Sequence, residues 1–427
     1  MTQERVVIVG AGHAGFQLAA SLRQGGFDGT IALLSDEPVL PYQRPPLSKD
    51  YLDGKIGLDL LLMRPETFYR DHRIDYLPGT RAAEIDRAAR QLRLVSGETL
   101  DYDHLVLATG ARNRVPPLPG IELDGVSYLR NLAETDELRQ RLAAAEHIVV
   151  IGAGFIGLEF AAIARGKDKP VRILELTDRV MGRVVCPVTS EFFAAAHRQN
   201  GVEFSFGAQA VRIAGVGERV EHIELTDGER LKADLVLVSI GVVPNGELAA
   251  AAGLTVQNGI VVDDELKTAD PAISAIGDCC AYPSVHAVGL QPTGLSQGRA
   301  MTRLEAVQNA ADHARCVADR ILGKPHPYTA LPWFWSEQGP LRLQIAGLTA
   351  GHDHTVLRGS VETGEFSVFC YRDGTLLGVE SVNRPADHAH ARRLLSAGRQ
   401  VSPEQAADDS FDLRAPRPPA RVDAELN

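Results

Sequence analysis

Gly10-Ala11-Gly12-His13-Ala14-Gly15 and Gly152-Ala153-Gly154-Phe155-Ile156-Gly157 are two copies of one glycine pattern, each in the same setting. An apolar stretch precedes each copy, at residues 6–9 and 148–151, and a small-residue stretch that favours a helix follows it. A strand that turns through glycines into a helix presents free backbone N–H groups and the positive end of the helix dipole to a pyrophosphate. The two copies therefore predict that one α/β chain binds two dinucleotides and passes electrons between them.

An acid follows each glycine turn at the distance where such units bind a ribose. Asp36 follows the first turn and Glu175 the second, each close to the end of an apolar stretch. A carboxylate there accepts hydrogen bonds from ribose hydroxyls and repels a 2′-phosphate, so Glu175 predicts a preference for NADH over NADPH. Arg179 and Arg183 lie nearby in the sequence and would weaken that preference. The alternative interpretation of both acids is a solvated strand end.

Length and charge narrow the class of protein. A chain of 427 residues predicts two to four domains. Its net charge of −11 argues against nucleic acid or an anionic membrane as the main partner. The most apolar run, residues 148–164, contains three glycines and Glu159, so it predicts strand, turn and helix and not a membrane span. Because the first nucleotide-binding strand starts near residue 6, we expect no signal peptide and a cytoplasmic protein.

The cysteines and histidines show no spacing that indicates redox or metal chemistry. The five cysteines are Cys186, Cys279, Cys280, Cys316 and Cys370. They form no C-x-x-C pair, which predicts buried thiols in a reducing compartment and no redox-active dithiol. Two His-x-His pairs are expected on the surface and not at a metal: His352 with His354, and His388 with His390. We therefore predict no metal site.

Three strand-to-glycine junctions predict how the units are connected. Apolar stretches run into Thr109-Gly110, into Ile240-Gly241 and into Gly277-Asp278. The last stretch follows the point at which the second unit has closed. The economical arrangement is nested, with a first nucleotide-binding domain at 1–113 and 243–325 and a second one inserted at 114–242.

The pattern changes from residue 326 onward. Alternating apolar and polar stretches, with Asp373-Gly374 as a hairpin turn, predict an antiparallel sheet domain over 326–414 with a helix at 386–396. Residues 415–427 lack periodicity and predict a mobile tail. Residues 283–300 are rich in glycine, proline and serine and predict a loop.

The chain up to about residue 414 resembles the FAD-dependent ferredoxin reductases of cytochrome P450 and aromatic-ring dioxygenase systems, of the putidaredoxin and palustrisredoxin reductase type. The matching motifs span all three predicted domains: residues 10–15, 41–49, 108–110, 128–130, 152–159, 275–278, 305–310, 332–338 and 343–347. One departure is the segment 283–300, which looks expanded. The resemblance implies two nested Rossmann-like domains, the first for FAD and the second for NAD, plus a C-terminal interface domain.

The resemblance also implies a role for each matching position. The residues that would hold FAD are Gly10, Gly12, Ala14, Gly15, Asp36, Arg44, Lys49, Ala82, Ala108, Thr109, Gly110, Arg130, Gly277, Asp278 and Val307. Those that would hold NADH are Gly152, Gly154, Phe155, Ile156, Gly157, Glu159, Glu175, Arg183 and Gly241.

The catalytic residues that the resemblance implies are Lys49, Glu159 and Trp335. Lys49 would face the flavin ring, with its approach made rigid by the Arg44-Pro45-Pro46 turn, and would pair with Glu159 near the nicotinamide. Trp335 would lie near the flavin on the partner side; its alternative is a core tryptophan. Arg130 would face the pyrophosphate, and its alternative is a surface charge.

The implied electron acceptor is a [2Fe–2S] ferredoxin that serves a P450 or dioxygenase. An acidic enzyme that meets an acidic carrier needs a local basic patch, and the candidates for it are Arg64, Arg70, Arg73, Arg392 and Arg393. Three alternatives remain: a rubredoxin or nitrite-reductase-type reductase, a redox interaction protein like apoptosis-inducing factor, and a flavin disulfide reductase. The last would need the paired cysteines that this chain lacks.

Overall fold

The fold was obtained as a computed structural model that describes residues 4–287, 295–296 and 299–414. The predicted mobile tail at 415–427 and half of the predicted loop at 283–300, residues 288–294 and 297–298, lie outside the described residues. Within that loop, Leu295–Ser296 and Arg299–Thr302 are strands. The prediction of a loop is therefore wrong there, because Arg299–Thr302 pairs antiparallel with the strand Cys280–Pro283.

The first nucleotide-binding unit is built on a parallel sheet. Its strands lie in the order Ile273–Ala275, His104–Leu107, Arg5–Val9, Thr30–Leu34 and Ile74–Leu77. Strand Arg5–Val9 is central and almost wholly buried, as its run of β-branched residues requires when both faces of the sheet are covered. The edge strand Ile273–Ala275 lies far along the chain, which confirms that the chain returns to the first unit after an insertion.

The second unit repeats this plan. Its parallel strands lie in the order Val202–Phe206, Val171–Glu175, Ile148–Ile151, Leu235–Val238 and Val126–Ser127. The α-helices of the two units are His13–Gln24, Asp50–Asp53, Leu58–Leu61, Glu66–Asp71, Leu132–Ala144, Phe155–Gly166, Pro187–Gln199, Glu247–Ala251 and Val307–Ile321.

An antiparallel ribbon marks where the chain passes between the two units. Ala111–Asn113 pairs with Val242–Pro244. Just beside it, Thr109 Oγ1 donates to Asn245 O at 2.6 Å and Asn245 Nδ2 donates to Thr109 O at 2.9 Å. The outgoing and returning segments are thus tied together, although the domain boundaries at 113/114 and 242/243 stay a prediction.

Small antiparallel sheets extend both units. One contains Ala82–Asp86, Gln91–Leu94 and Thr99–Asp101, and another contains Ala210–Val216, Arg219–Leu225 and Arg230–Lys232. A further sheet contains Ile260–Val261, Cys280–Pro283, Arg299–Thr302 and Leu295–Ser296.

The C-terminal domain is an antiparallel sheet covered by a helix, as the alternating pattern predicts. Its strands lie in the order Trp333–Gln338, Leu341–Gly347, Thr375–Val382, Glu365–Arg372 and His354–Ser360. Its helices are Pro385–Ser396 and Pro403–Ala407. The predicted hairpin turn is confirmed, since Asp373 and Gly374 both have positive φ, at 49° and 73°.

Buried side chains of all three regions form one hydrophobic cluster. It contains Leu47 from the first unit, Phe160 from the second and Leu343 and Phe366 from the C-terminal sheet. The functional cleft described below lies where these regions meet. Among the described residues, no helix is both long and apolar enough to cross a lipid bilayer.

Candidate functional site

A long cleft opens at the carboxyl ends of both parallel sheets, the usual place for ligands in such folds. Most of the predicted site residues line it: Gly10, Gly12, Ala14, Asp36, Arg44, Lys49, Ala108, Thr109, Gly110, Arg130, Phe155, Ile156, Glu159, Gly241, Gly277, Asp278, Val307 and Trp335. The predicted residues that lie outside its lining are Gly15, Ala82, Gly152, Gly154, Gly157, Glu175 and Arg183.

The two glycine turns have matching geometry. Gly10 and Gly152 have φ near +108° and +105°, and a Cβ on either would lie within 2.4 Å of a backbone carbonyl oxygen. Gly15 and Gly157 allow close helix–strand packing, because an added Cβ would lie 1.9 Å and 2.4 Å from the oxygens of Gly10 and Gly152. The last glycine of each motif therefore shapes the turn from behind, which explains its place outside the cleft.

Each turn leaves a helix N-terminus open. Gly12 precedes the helix His13–Gln24 and Gly154 precedes Phe155–Gly166, and neither helix has a side-chain cap. The first N–H groups of an uncapped helix seek an acceptor, and a pyrophosphate supplies one. Both sites thus fit the phosphate groups of a dinucleotide.

Glu175 ends the strand Val171–Glu175 beside the second turn. Its Oε2 accepts from the Ala153 N–H, and its Oε1 accepts from the N–H and hydroxyl of Thr177, all at 2.8 Å. These bonds hold the carboxylate at the turn while leaving lone pairs for a ribose. Nearby, an added Cβ on Gly241 would lie 3.2 Å from the Arg183 guanidinium, so these two predicted residues meet.

Lys49 and Glu159 form the predicted ion pair, with Lys49 Nζ 2.8 Å from Glu159 Oε2. The side chain of Glu159 is 2% exposed and that of Lys49 is 15% exposed. Two hydroxyls also donate to this carboxylate: Ser48 Oγ to Oε2 at 2.5 Å and Ser336 Oγ to Oε1 at 2.6 Å. The pair therefore joins the two nucleotide-binding units, and the C-terminal domain holds it from the other side.

A cluster of charges surrounds the first turn. Arg130 donates to Asp278 Oδ2 at 2.8 Å and to the carbonyl of Ala111 at 2.9 Å. Arg44 pairs with Glu37 at 2.5 Å. Arg130 is therefore not a lone surface charge.

His13 lies among these charges, and His313 bonds to the residue before Asp278. Burial, with a smaller contribution from Arg44, lowers the pKa of His13 to about 4, so His13 adds no charge at neutral pH. Behind Asp278, the Gly277 N–H donates to Nδ1 of buried His313 at 3.2 Å, and burial lowers the pKa of His313 to about 3.

Ala82 has a different environment from the one expected for a cofactor contact. It begins the strand Ala82–Asp86 and packs against the core of the first unit. Its role as a contact to FAD stays a prediction.

Aromatic side chains close the C-terminal side of the cleft. Phe155 and Phe334 lie with ring centres 4.6 Å apart, and Trp335 lies beside Trp333 at 5.6 Å. The Arg392 guanidinium stacks on Trp333 at 4.2 Å. The cleft thus ends in two tryptophans with a cation on the outer one.

The arginines predicted for docking differ in their surroundings. Arg392 is placed beside the cleft through Trp333. Arg64, Arg70 and Arg73 belong to the segment around the helix Glu66–Asp71 and do not line the cleft, and Arg70 pairs with Asp71 at 3.2 Å. Arg393 neighbours Arg392 on the helix Pro385–Ser396.

One of the histidines expected on the surface is buried. His388 is 3% exposed and its ring centre lies 5.9 Å from that of Trp333. Burial lowers its pKa to about 4. The surface prediction is wrong here, because the helix Pro385–Ser396 turns this face onto the sheet.

All five cysteines lie within the described residues, where they are buried and unpaired. Cys186, Cys370 and Glu380 come within 4.8 Å of one another, which sequence spacing does not reveal. Glu380 accepts hydrogen bonds from the Cys186 N–H at 2.9 Å and the Thr349 hydroxyl at 2.8 Å. Since Cys186 precedes the helix Pro187–Gln199, Glu380 acts as its cap, supplied by the C-terminal domain.

Two site residues escape sequence reasoning. Ser48 immediately precedes Lys49, so its position in the sequence could have indicated that it lies at the ion pair. Ser336 is 177 positions from Glu159, and no local pattern indicates their contact.

Comparison with known proteins agrees with this geometry. The family model described as pyridine nucleotide-disulphide oxidoreductase matches residues 4–314, and the reductase C-terminal model matches 333–416. The rhodocoxin reductase of Rhodococcus erythropolis is 49% identical over 409 residues, which cover 96% of this chain and 93% of the relative.

Two solved structures have the same fold over nearly their whole length. The ferredoxin reductase for the CYP199A2 system from Rhodopseudomonas palustris is 52% identical, with a TM-score of 0.92 over 96% of this chain and 99% of that one. The covalent putidaredoxin reductase–putidaredoxin complex matches at 38% identity and a TM-score of 0.92, covering 97% and 98%. The chain therefore belongs to the pyridine nucleotide-disulphide oxidoreductase family and, within it, to the ferredoxin reductases.

Proposed function

We propose that this protein is an NADH-dependent flavoprotein reductase that passes electrons through non-covalent FAD to a [2Fe–2S] ferredoxin serving a P450 or ring-hydroxylating oxygenase. The buried Lys49–Glu159 pair carries the proposal, because it lies where the two dinucleotide-binding units meet in one cleft. FAD, when bound, accepts a hydride and gives up single electrons. The chain supplies binding, orientation and exclusion of water.

The first unit would hold FAD through complementary charges. The turn at residues 10–15 would bind the pyrophosphate, and exposed Asp36 would accept from the adenosine ribose. Asp278 would meet a ribityl hydroxyl, with Arg130 holding it in place. Lys49 would face the ring, since Glu159 anchors its ammonium group in the cleft.

The second unit would hold NADH against that ring. The turn at 152–157 would face the pyrophosphate, and Glu175 would accept hydrogen bonds from the ribose hydroxyls. Phe155 and Ile156 line the shared cleft and would place the nicotinamide beside Glu159. Arg183, which meets Gly241, would close over the phosphates.

The acceptor would approach the C-terminal side. Trp335 lines the cleft and touches Trp333, whose outer face carries Arg392. A cation beside aromatic rings at the end of a cleft fits an acidic carrier. The putidaredoxin reductase–putidaredoxin complex is a precedent in a relative of the same fold.

Anaerobic stopped-flow reduction tests this proposal. NADH should bleach the bound flavin, and the reduced protein should then transfer single electrons to a [2Fe–2S] ferredoxin faster than to a rubredoxin. Faster transfer to rubredoxin would favour the alternative reductase class. Absence of flavin reduction by NADH would refute the enzymatic proposal and favour a redox interaction protein.

We also infer a cytoplasmic location. The unpaired state of all five cysteines supports it, since free thiols persist in a reducing compartment. Fractionation of the native host, with a periplasmic marker as control, tests the location.

A further inference from the structure

The strand Trp333–Gln338 presents different chemistry on its two faces. Trp333 and Trp335 lie on the side of the cleft mouth, whereas Ser336 and Gln338 are 0% and 2% exposed. Side chains alternate along a strand, so one element serves both environments. Ser336 and Gln338 share the inward face with Phe334, and these two buried polar side chains demand partners.

Those partners form a directed hydrogen-bond chain that ends on Glu159. His197 Nε2 donates to Gln338 Oε1 at 2.8 Å, and Gln338 Nε2 donates to Ser336 Oγ at 3.3 Å. Ser336 Oγ then donates to Glu159 Oε1 at 2.6 Å. Every donor points toward the carboxylate, an arrangement in which each bond polarises the next.

Gln338 also contacts the segment behind the second glycine turn. Its Nε2 lies 3.6 Å from Met181 Sδ, and the Met181 N–H donates to the Ala153 carbonyl at 2.9 Å. Met181 has a positive φ of 52°, so this segment has a constrained shape. The inward face of one C-terminal strand therefore contacts the ion pair directly and the nucleotide turn through Met181.

The hydrogen-bond series ends at a buried histidine and does not reach solvent. Among the described residues, His197 Nδ1 has no hydrogen-bond partner. Burial lowers the pKa of His197, which keeps the ring neutral with its proton on Nε2. Because this hydrogen-bond series stops at His197, it holds the side chains in place and does not conduct protons to solvent.

We propose that Ser336 and Gln338 are positioning residues that lock the Glu159 carboxylate with Oε2 toward Lys49, and so place the Lys49 ammonium in the cleft. This inference rests on the proposed function, because it gives Lys49 its place at the flavin. Without the Ser336 hydroxyl, Oε1 loses its charge-assisted hydrogen bond and the carboxylate is held only at Oε2, by Ser48 and Lys49. The carboxylate can then turn about Oε2 and shift the Lys49 ammonium.

The test compares Ser336→Ala and Gln338→Met with Ser367→Ala in the FAD-loaded protein. Ser367 is a matched control: it lies in the same sheet, is 0% exposed and donates to the Asp387 carboxylate at 3.0 Å. The readouts are the flavin midpoint potential by spectroelectrochemistry, the rate of flavin reduction by NADH, the KM for NADH and the melting temperature.

We expect Ser336→Ala to shift the midpoint potential and to slow flavin reduction about tenfold, as loss of a hydrogen bond to a charged group implies, while the KM for NADH stays nearly constant. Gln338→Met should change the midpoint potential and the reduction rate in the same direction as Ser336→Ala, but to a smaller extent. Ser367→Ala should leave potential and rate unchanged, whatever its effect on melting.

Wild-type potential and reduction rate in a folded Ser336→Ala variant would overturn the inference. If Ser336→Ala does not fold, an unchanged Gln338→Met overturns it and a shifted one supports it. The potential is measured electrochemically and needs no NADH, so its outcome is separate from that of the proposed function. Failure of the wild-type protein to accept electrons from NADH would refute the proposed function and leave the positioning role of Ser336 untouched.

Discussion

At the scale of single residues, Glu175 should decide which nicotinamide nucleotide is used. We expect kcat/KM for NADH to exceed that for NADPH. Glu175→Ala should reduce the ratio of the two values about tenfold, or by ~1.4 kcal/mol, because it removes a charge that repels the 2′-phosphate. Steady-state kinetics with both nucleotides measures it.

Two variants isolate that effect. Thr177→Val removes a hydroxyl that donates to Glu175 but keeps its charge, and Glu203→Ala removes an exposed acid from the same sheet. Both should preserve the discrimination. Equal kcat/KM for NADH and NADPH in the wild-type protein would contradict the role of Glu175.

His313 should make stability depend on pH. Its pKa is lowered to about 3 by burial, whereas an unfolded histidine titrates near 6.5. The unfolded chain therefore takes up a proton that the folded one does not, so stability is lost as pH falls from about 6.5 toward 3, by ~1.4 kcal/mol per pH unit.

His313→Gln should reduce this loss. Because pH 5 lies about 1.5 units below the unfolded pKa of His313, the free energy of unfolding of the variant should fall by ~2 kcal/mol less than that of the wild type between pH 7 and pH 5. Thermal release of FAD, followed by flavin fluorescence at both pH values, measures the difference. An equal loss of stability between pH 7 and pH 5 in the wild type and in His313→Gln would show that His313 does not cause the pH dependence.

At the scale of elements, the helix Phe155–Gly166 begins at the second glycine turn, so changes in its first residues should affect the NADH site and not the FAD site. A Cβ on Gly157 would lie 2.4 Å from the Gly152 oxygen, so Gly157→Ala must displace the second turn. We expect the KM for NADH to rise about tenfold, within the usual cost of overpacking. The first turn is untouched, so FAD should be retained, as the ratio of flavin to protein absorbance will show.

Gly166→Ala is the control in the same helix, because nothing lies within 4 Å of its added Cβ. It should bind NADH as the wild type does. Loss of FAD from Gly157→Ala, or a normal KM in it, would argue against separate sites.

At the scale of the whole molecule, charge should govern the encounter with the acceptor. The chain carries −11, so an acidic ferredoxin needs a local cation, and Arg392 is the predicted arginine that stacks at the cleft's tryptophans. Arg392→Glu should raise the KM for ferredoxin about tenfold at low salt while flavin reduction by NADH keeps its rate.

Arg219→Glu serves as the control, because this arginine is 85% exposed on the small sheet of the second unit. It should leave the KM for ferredoxin unchanged. Ferredoxin reduction that is insensitive to both salt and Arg392→Glu would exclude this docking face.

The features that neighbouring residues form among themselves could be predicted from the sequence alone. The two glycine turns and the Asp373-Gly374 hairpin depend on backbone conformations that few residues adopt, so local pattern predicts them. The acids Asp36 and Glu175 are predicted by their distance from those turns. The nested topology also followed, because the edge strand at 273–275 comes too late to belong to the inserted unit. The Lys49–Glu159 pair was expected from resemblance, and the structure gives its distance.

Contacts between distant segments were decided only by the tertiary structure. Ser336 meets Glu159 across 177 positions and the Cys186 N–H meets Glu380 across 194. Such contacts depend on how three regions pack into one core, and a hydroxyl or a buried acid has no local signature of its partner. The burial of His388 has the same origin: its helix pattern was readable, but the face that the sheet covers was set by packing.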